Sequence, residues 1–433
     1  NGNDYAYLPK GAGASITYQK IPTTGIPPNS MAIVFLNDYK PGLGTLKCNC
    51  PASVQAAVSG EDMVIHSTTV GHAMEIKTSV PAVVYDIYPY GGATSYISSA
   101  TLLLPITAWD TNYIMTTMGE QPSAFPPGVD LIAQQDGTQV TVLPTQNITA
   151  GGGVAAATKG VPVTYSINKG QTIHIMQPVD GSGNDLTGSV VQSNVPVGVW
   201  GEHFCMDQPD PPPWRMVGLV DGTTLTYDPP VSGAPTTINQ SQLVEFTGPA
   251  AFHVKAQDEK HPFYLAARRP GGDCDAAHQQ IPPIKALGSD YVAIANEATD
   301  YGVGGPETVN VIPPAQFLTS YIFFTDPTYG YTEIALTRPK AADNTFHDVT
   351  LDCLGTVTGW KPVGASGLYE YAHVDLRHAE APVGKCDNGL HTIKSDAPFG
   401  ITVWGYDSAS SYAYPAGASV KPINTVVVPP TPK

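Results

Sequence analysis

Glu202 and His203 close an apolar run that ends at Trp200 and stand just before Cys205, while His278 lies four residues after Cys274. A carboxylate such as Glu202 could serve a carbohydrate-active enzyme. A bridge between Cys205 and Cys274 would bring both histidines to one sheet edge, where a cleft could form. The plainer reading, that these groups satisfy backbone partners at strand ends, is the one we prefer. His373 and His378 in YAHVDLRHAE match no ligand spacing, and solvated side chains are expected there.

Two further stretches carry chemistry by composition. The acidic loop DGSGND sets the oxygens of Asp180, Ser182, Asn184 and Asp185 at short intervals, like the opening of a calcium loop. Its twelfth position is Val191, where an EF-hand needs a bidentate glutamate, so that loop type is excluded and calcium stays a weaker expectation beside an ordinary turn. Trp404, Tyr406, Tyr412 and Tyr414 could form an aromatic platform that stacks on sugar faces, against the alternative that they are half-buried in a sheet. No GxSxG elbow, HExxH, strand-borne GxGxxG or phosphate loop occurs, so no catalytic residue and no cofactor is assigned.

Six cysteines are read as a disulfide framework in an oxidising, extracytoplasmic setting. Cys353 and Cys386 flank one polar segment. Cys205 and Cys274 bracket an inserted hairpin module, and a bridge there would contribute about 3 to 5 kcal/mol through the unfolded chain. Cys48 and Cys50 remain; a bridge across one residue makes a strained ring, and zinc is the rival reading of that pair.

Only 13% of the 433 residues are charged, while Gly (43) and Pro (41) are abundant, which favours short strands and tight turns over helices. The net charge of -16 opposes nucleic-acid binding. No stretch is long and apolar enough to span a bilayer as a helix, and the polar opening NGNDYAYLPK suggests an exported chain whose signal peptide has been removed.

The elements that must position these residues are repeated. A polar residue, then Pro, then an apolar run recurs as TSVPAVVYDIYPY, SNVPVGVW, KHPFYLAA and SDAPFGITVWGY. Pro, a bulky residue four positions on and Tyr four further recur as Pro105, Trp109, Tyr113; Pro283, Leu287, Tyr291; and Pro313, Phe317, Tyr321. DGTQVTVLP from Asp136 and DGTTLTYDP from Asp221 are hairpin turns, each followed by a strand start, INKGQTIHI and INQSQLVEF. The two turns lie about 85 residues apart, closer to a sandwich than to a propeller blade of roughly 40 to 50 residues. The expected fold is all-β, tandem β-sandwich-like repeats, with a propeller-like arrangement as the alternative. The expected units are 1–100, 101–204, 205–273 and 274–424, with 425–433 a Pro-rich linker.

ATLLLPITAWDTNY, DLTGSVVQSNVPVGVWGEHFC, CDAAHQQIPPIKALGSDYV and SDAPFGITVWGYDSASSYAYPAG together resemble the IgGFc-binding protein N-terminal domain family, its exported bacterial members in particular. The resemblance runs from Val80 onward. It implies an extracellular or cell-surface, non-enzymatic module for adhesion or ligand binding, with no catalytic residues to transfer and no particular ligand. The partners it suggests are an extracellular protein or glycan. The remaining alternatives are a subunit of a surface filament or layer, pairing with copies of itself, and a lectin.

Overall fold

A computed structural model describes residues 2–38, 50–51, 53–61, 63–95, 98–118, 126–203, 214–269, 279–281, 288–295, 303–408 and 410–432; the side chains of residues 203 and 279–281 lie outside that set. Among the described residues regular structure consists of β-strands and short 3-10 turns, without an α-helix. The strands build three successive sandwich-like repeats, so the all-β expectation holds and sandwich packing is what the sheets form.

Each repeat is organised by one long strand segment that starts in one layer and finishes in the other. In the first repeat this is Val190–His203: Val190 to Ser193 pair with Thr138–Leu143, and Val197 to Glu202 pair with Gly128–Ala133. In the third it is Leu390–Tyr406, paired first with Leu318–Phe324 and Val349–Leu351, then with Tyr331–Pro339. In the second the same path is split into Ala251–Ala256 and Phe263–Arg269, paired with Thr223–Asp228 and Trp214–Gly218. The repeated proline stands where the chain changes layer, at Pro196, Pro262 and Pro398. Proline has no N–H to give a ladder, so a corner between two ladders is where it fits.

The second repeated motif meets the first at that corner. Tyr113 Oη donates to the carbonyl of Val197 at 2.8 Å, Tyr291 Oη to Phe263 at 2.6 Å, and Tyr321 Oη to Phe399. Each acceptor is the residue directly after the corner proline. Each hydroxyl also accepts a backbone N–H three residues before its own tyrosine, from Asp110, Gly288 and Leu318. Burial pushes all three phenols above their ordinary pKa, so they stay neutral donors.

The Asp-Gly turns are fastened by their downstream partners. Asp136 accepts the N–H of Lys169 (3.1 Å) while Asn168 accepts that of Gly137 (3.0 Å). Asp221 accepts Gln240 N–H (3.0 Å) while Asn239 accepts Gly222 N–H (2.9 Å). Gly137 and Gly222 take φ values of 67° and 70°, the left-handed region such turns require.

Side chains alternate as the strands demand. In the first repeat Val129, Leu131, Val140, Val142, Ile173, Ile175, Val197 and Val199 fill the space between layers. The repeats then stack. Ile114 and Val190 of the first pack on Val217, Tyr264 and Ala266 of the second, and Trp404, Tyr406 and Ala413 of the third join the aromatic core of the second around Trp214, Phe252 and Phe263.

Of the residues expected to form an N-terminal unit, Ala6–Lys10, Thr17–Lys20 and Ile33–Val34 form a three-stranded sheet with its own cluster of Tyr7, Phe35 and Ala56, and the rest are shared out. Thr69–His72 extends the first repeat's sheet beside Gln171–Met176, whereas the hairpin Val84–Tyr88 and Ser99–Leu103 packs on the third repeat's core. The strand Asp290–Ile294, expected in the last unit, pairs with Ala251–Ala256 of the second repeat. The closing segment read as a linker folds back instead. Val428 is buried, and Asn112 holds it through both its N–H (2.8 Å) and its carbonyl (2.7 Å). Its valines are the physical reason, since leaving them in water forfeits the burial that Val217 and Tyr264 offer.

Cys353 and Cys386 form a disulfide closing a separation of 33 residues, worth roughly 4 kcal/mol in the loop-entropy picture. A second clasp joins the second and third repeats: Asp228 accepts the backbone N–H groups of Ala365 and Ser366, each at 2.8 Å. Those bonds, Ala365 first, hold its pKa below the ordinary carboxylate value. A depressed folded pKa gives stability that is present above the unfolded value near 4 and is lost as pH falls through the folded value. Asp228→Asn is therefore expected to flatten the acid limb of the stability curve by about 1 kcal/mol or less, a surface-scale effect read by urea unfolding at pH 3 to 7. An unchanged acid limb would show the clasp to be energetically idle.

Candidate functional site

Where the first and second repeats meet, polar groups are held in a cleft of about 550 Å³. The strand Trp214–Gly218 is buried along its length, so Arg215 is carried into the interior by the strand that carries it, beside its cross-strand neighbour Glu245. A buried guanidinium must be paired, and Arg215 is: it donates to Glu245 Oε1 at 2.6 Å, to Thr187 Oγ1 at 2.8 Å and to Asp185 Oδ2. Arg268 donates to the same Glu245 oxygen at 2.5 Å.

Burial opposes the charge on Arg215, but Asp185 and Glu245 overcome it and raise its pKa above the ordinary value. For Arg268 burial prevails, helped by the Arg215 charge and resisted by Glu245, and its pKa falls to about 10, which leaves it charged at neutral pH. Glu245 is 31% exposed and so is the carboxylate that the cleft presents, with Lys159 at the rim. Thr431 and Pro432 of the closing segment also line the cleft. Charged donors and acceptors thus line an open cleft, an arrangement suited to a polar ligand.

The residues singled out in the sequence are distributed differently from expectation. Asp180, Ser182 and Asn184 lie in an exposed turn, where Asp180 accepts Ser182 N–H at 2.9 Å. Asp185 is buried and engaged by Arg215 and by Thr187 N–H, so it is withdrawn from the calcium set expected for this loop. The aromatic platform is corrected more fully. Trp404 is 1% exposed and Tyr406, Tyr412 and Tyr414 are 0% exposed, so no ring face is open to a sugar. They are core: Tyr412 and Tyr414 belong to the third repeat's interior, and Trp404 and Tyr406 to the interface with the second.

Of the cysteines, Cys353 and Cys386 are bridged. The Cys50 thiol lies 3.5 Å from the Asn37 carbonyl, while Cys48, Cys205 and Cys274 lie outside the described residues, as do His278 and the His203 side chain. The His373 side chain, expected in solvent, is 6% exposed and 3.9 Å from Glu333; His378 is 43% exposed, against the ring of Tyr331.

Glu202 is buried, and its partner is one the sequence reading missed. His174 Nδ1 lies 2.6 Å from Glu202 and 3.1 Å from Asp130. Burial lowers the pKa of His174, but its bonds to Asp130 and Glu202 raise it to about 10; burial and then Glu202 raise that of Asp130 to about 6. Asp130 between Val129 and Leu131 and His174 between Ile173 and Ile175 follow ordinary strand alternation, which says only that both leave the sandwich core and not that they meet. Asp352, Cys353 and His391 form a second convergent group, but the Cys353 sulfur is committed to its disulfide.

A family model described as IgGFc binding protein matches residues 99–211, 207–273 and 294–405, segments that fall in turn on the three repeats. No curated protein and no solved structure matches the chain.

Proposed function

Because the chain belongs to the IgGFc-binding protein family, we propose that it is an extracellular, non-enzymatic protein that binds a protein ligand in adhesion or surface contact, through the cleft between its first and second repeats. The observation that carries this reading is the cleft itself, where Glu245 and Lys159 are offered to solvent and Thr431 and Pro432 complete the lining. A ligand's polar backbone would find donors and acceptors at Lys159 and Glu245 on this wall. The disulfide supports an oxidising, extracytoplasmic location. Among the described residues no helix is long and apolar enough to cross a membrane.

The test passes the purified chain over an array of extracellular proteins, an immunoglobulin G Fc fragment among them, and over a glycan array. Retention on a protein, weakened about tenfold or more by Lys159→Glu at the cleft rim, is the expected result; one lost charge contact at a binding site is worth that much. Binding confined to glycans would replace this reading with a lectin. A mass that grows with concentration, without retention on any protein, would replace it with self-assembly.

A further inference from the structure

The three repeats carry a polar triad at one fold-equivalent place. In the first, Asp130 faces His174 across one neighbouring strand and Trp200 across the other, and Glu202 stands two residues beyond Trp200. In the second, Arg215 faces Glu245 and Ala266, and Arg268 stands two beyond Ala266. In the third, Glu333 faces Asp375 and Trp404, and Tyr406 stands two beyond Trp404. All three triads project from the face opposite the sandwich core, on three adjacent strands of one sheet.

Their charges are completed differently. The second repeat sets Arg215 and Arg268 on Glu245 and Asp185. In the third, Tyr406 donates to Glu333 at 3.0 Å, and the Arg269 guanidinium lies 4.7 Å from the centre of the Tyr406 ring. In the first repeat two carboxylates converge on one imidazole, and among the described residues no lysine or arginine forms an ion pair with Asp130. Both carboxylates face the same nitrogen, Nδ1. A proton there points at one acceptor, whereas a cation accepts a lone pair from all three atoms, which lie within 4.8 Å of one another. The other nitrogen, Nε2, is buried without a hydrogen-bond partner, turned to Gly128, where a Cβ would stand 2.8 Å away. An imidazolium would therefore bury a charged N–H without an acceptor, a cost that a metal at Nδ1 reduces by leaving the ring neutral.

We propose that Asp130, His174 and Glu202 bind one divalent transition-metal ion of the zinc class, through His174 Nδ1 and an oxygen of each carboxylate. One nitrogen and two oxygens suit zinc or manganese better than calcium, which takes oxygen ligands only. Asp130, whose side chain is 17% exposed, is the point of entry, and Thr172 Oγ1 orients it from 3.3 Å. Binding pins the strands Gln171–Met176, Gly128–Ala133 and Val190–His203 together, so the ion is structural in role.

The full chain, stripped with a chelator and then titrated with zinc chloride by calorimetry, is expected to take up one equivalent saturably. Asp130→Asn and His174→Gln are each expected to weaken that uptake tenfold or more, in the range lost when a ligand or its orienting partner is removed. Asp352→Asn is expected to leave it unchanged. Cobalt(II) added to the stripped chain reports nitrogen and oxygen coordination by its absorption spectrum, and that spectrum should vanish in Asp130→Asn. If His174→Gln does not fold, the partly exposed Asp130 still decides the matter. Absence of stoichiometric uptake, uptake indifferent to Asp130→Asn, or uptake removed by Cys50→Ser alone would each overturn the site, the last in favour of the Cys48 and Cys50 pair.

Discussion

Arg215→Met is expected to destabilise the protein by about 3 to 5 kcal/mol, because it leaves the Asp185 carboxylate, 2% exposed, without its counter-charge. Glu245 suffers less, since Arg268 still donates to it and it reaches solvent. Arg215→Met with Asp185→Leu should recover most of the loss, since a packed apolar pair replaces a buried ion pair at little cost. Urea unfolding at pH 7, followed by hydrogen exchange at the junction, separates these outcomes. A single variant within about 1 kcal/mol of the parent would mean that Asp185 is not held by Arg215 in solution.

The junction also explains which parts of the molecule were legible in the sequence. The Asp-Gly turns, the corner prolines and the corner tyrosines each announce themselves locally, because a turn, a layer change and a buried hydroxyl impose residue types at fixed spacing. Of the four segments that carried the family resemblance, ATLLLPITAWDTNY and DLTGSVVQSNVPVGVWGEHFC lie within the family-model matches and SDAPFGITVWGYDSASSYAYPAG overlaps one, whereas CDAAHQQIPPIKALGSDYV falls between them. What local spacing cannot supply is register. Asp130, His174 and Glu202 meet only because Gly128–Ala133 lies between Gln171–Met176 and Val190–His203 in one particular alignment, and a slip of that middle strand by one residue would turn Asp130 away from the other two.

The aromatic strand failed for a related reason. Trp404 and Tyr406 point away from their own sandwich core, which in an isolated sheet would mean solvent, but the second repeat stacks on that face. Gly405 and Ala413, standing between the rings of WGYDSASSYAYPAG where an open face would carry polar residues, were the available sign of strands buried on both sides. The closing valines misled in the same way: prolines beside them read as a spacer, while Val428 answers to a groove that exists only once two repeats have met.

Replacing the corner tyrosines one at a time should cost about 1 to 3 kcal/mol each, the range for leaving a buried donor or acceptor unmade. Tyr291→Phe is the cleanest case. It keeps the ring, 1% exposed and packed 4.9 Å from the ring of Phe263, and removes only the hydroxyl that joins Gly288 N–H to the Phe263 carbonyl. Two backbone groups then lose their partner for one atom deleted, which places the expected loss toward the upper end of that range. Tyr113→Phe and Tyr321→Phe remove the same link from the first and third repeats. Because the three corners share no partner residue, the losses should be near additive when read repeat by repeat, by hydrogen exchange at the strands each corner joins. Protection lost only in the mutated repeat would mark each sandwich as its own cooperative unit. Protection lost in all three from Tyr291→Phe alone would instead mean that the stacked faces around Trp214 and Trp404 bind the repeats into a single folding unit, with the second repeat as its keystone.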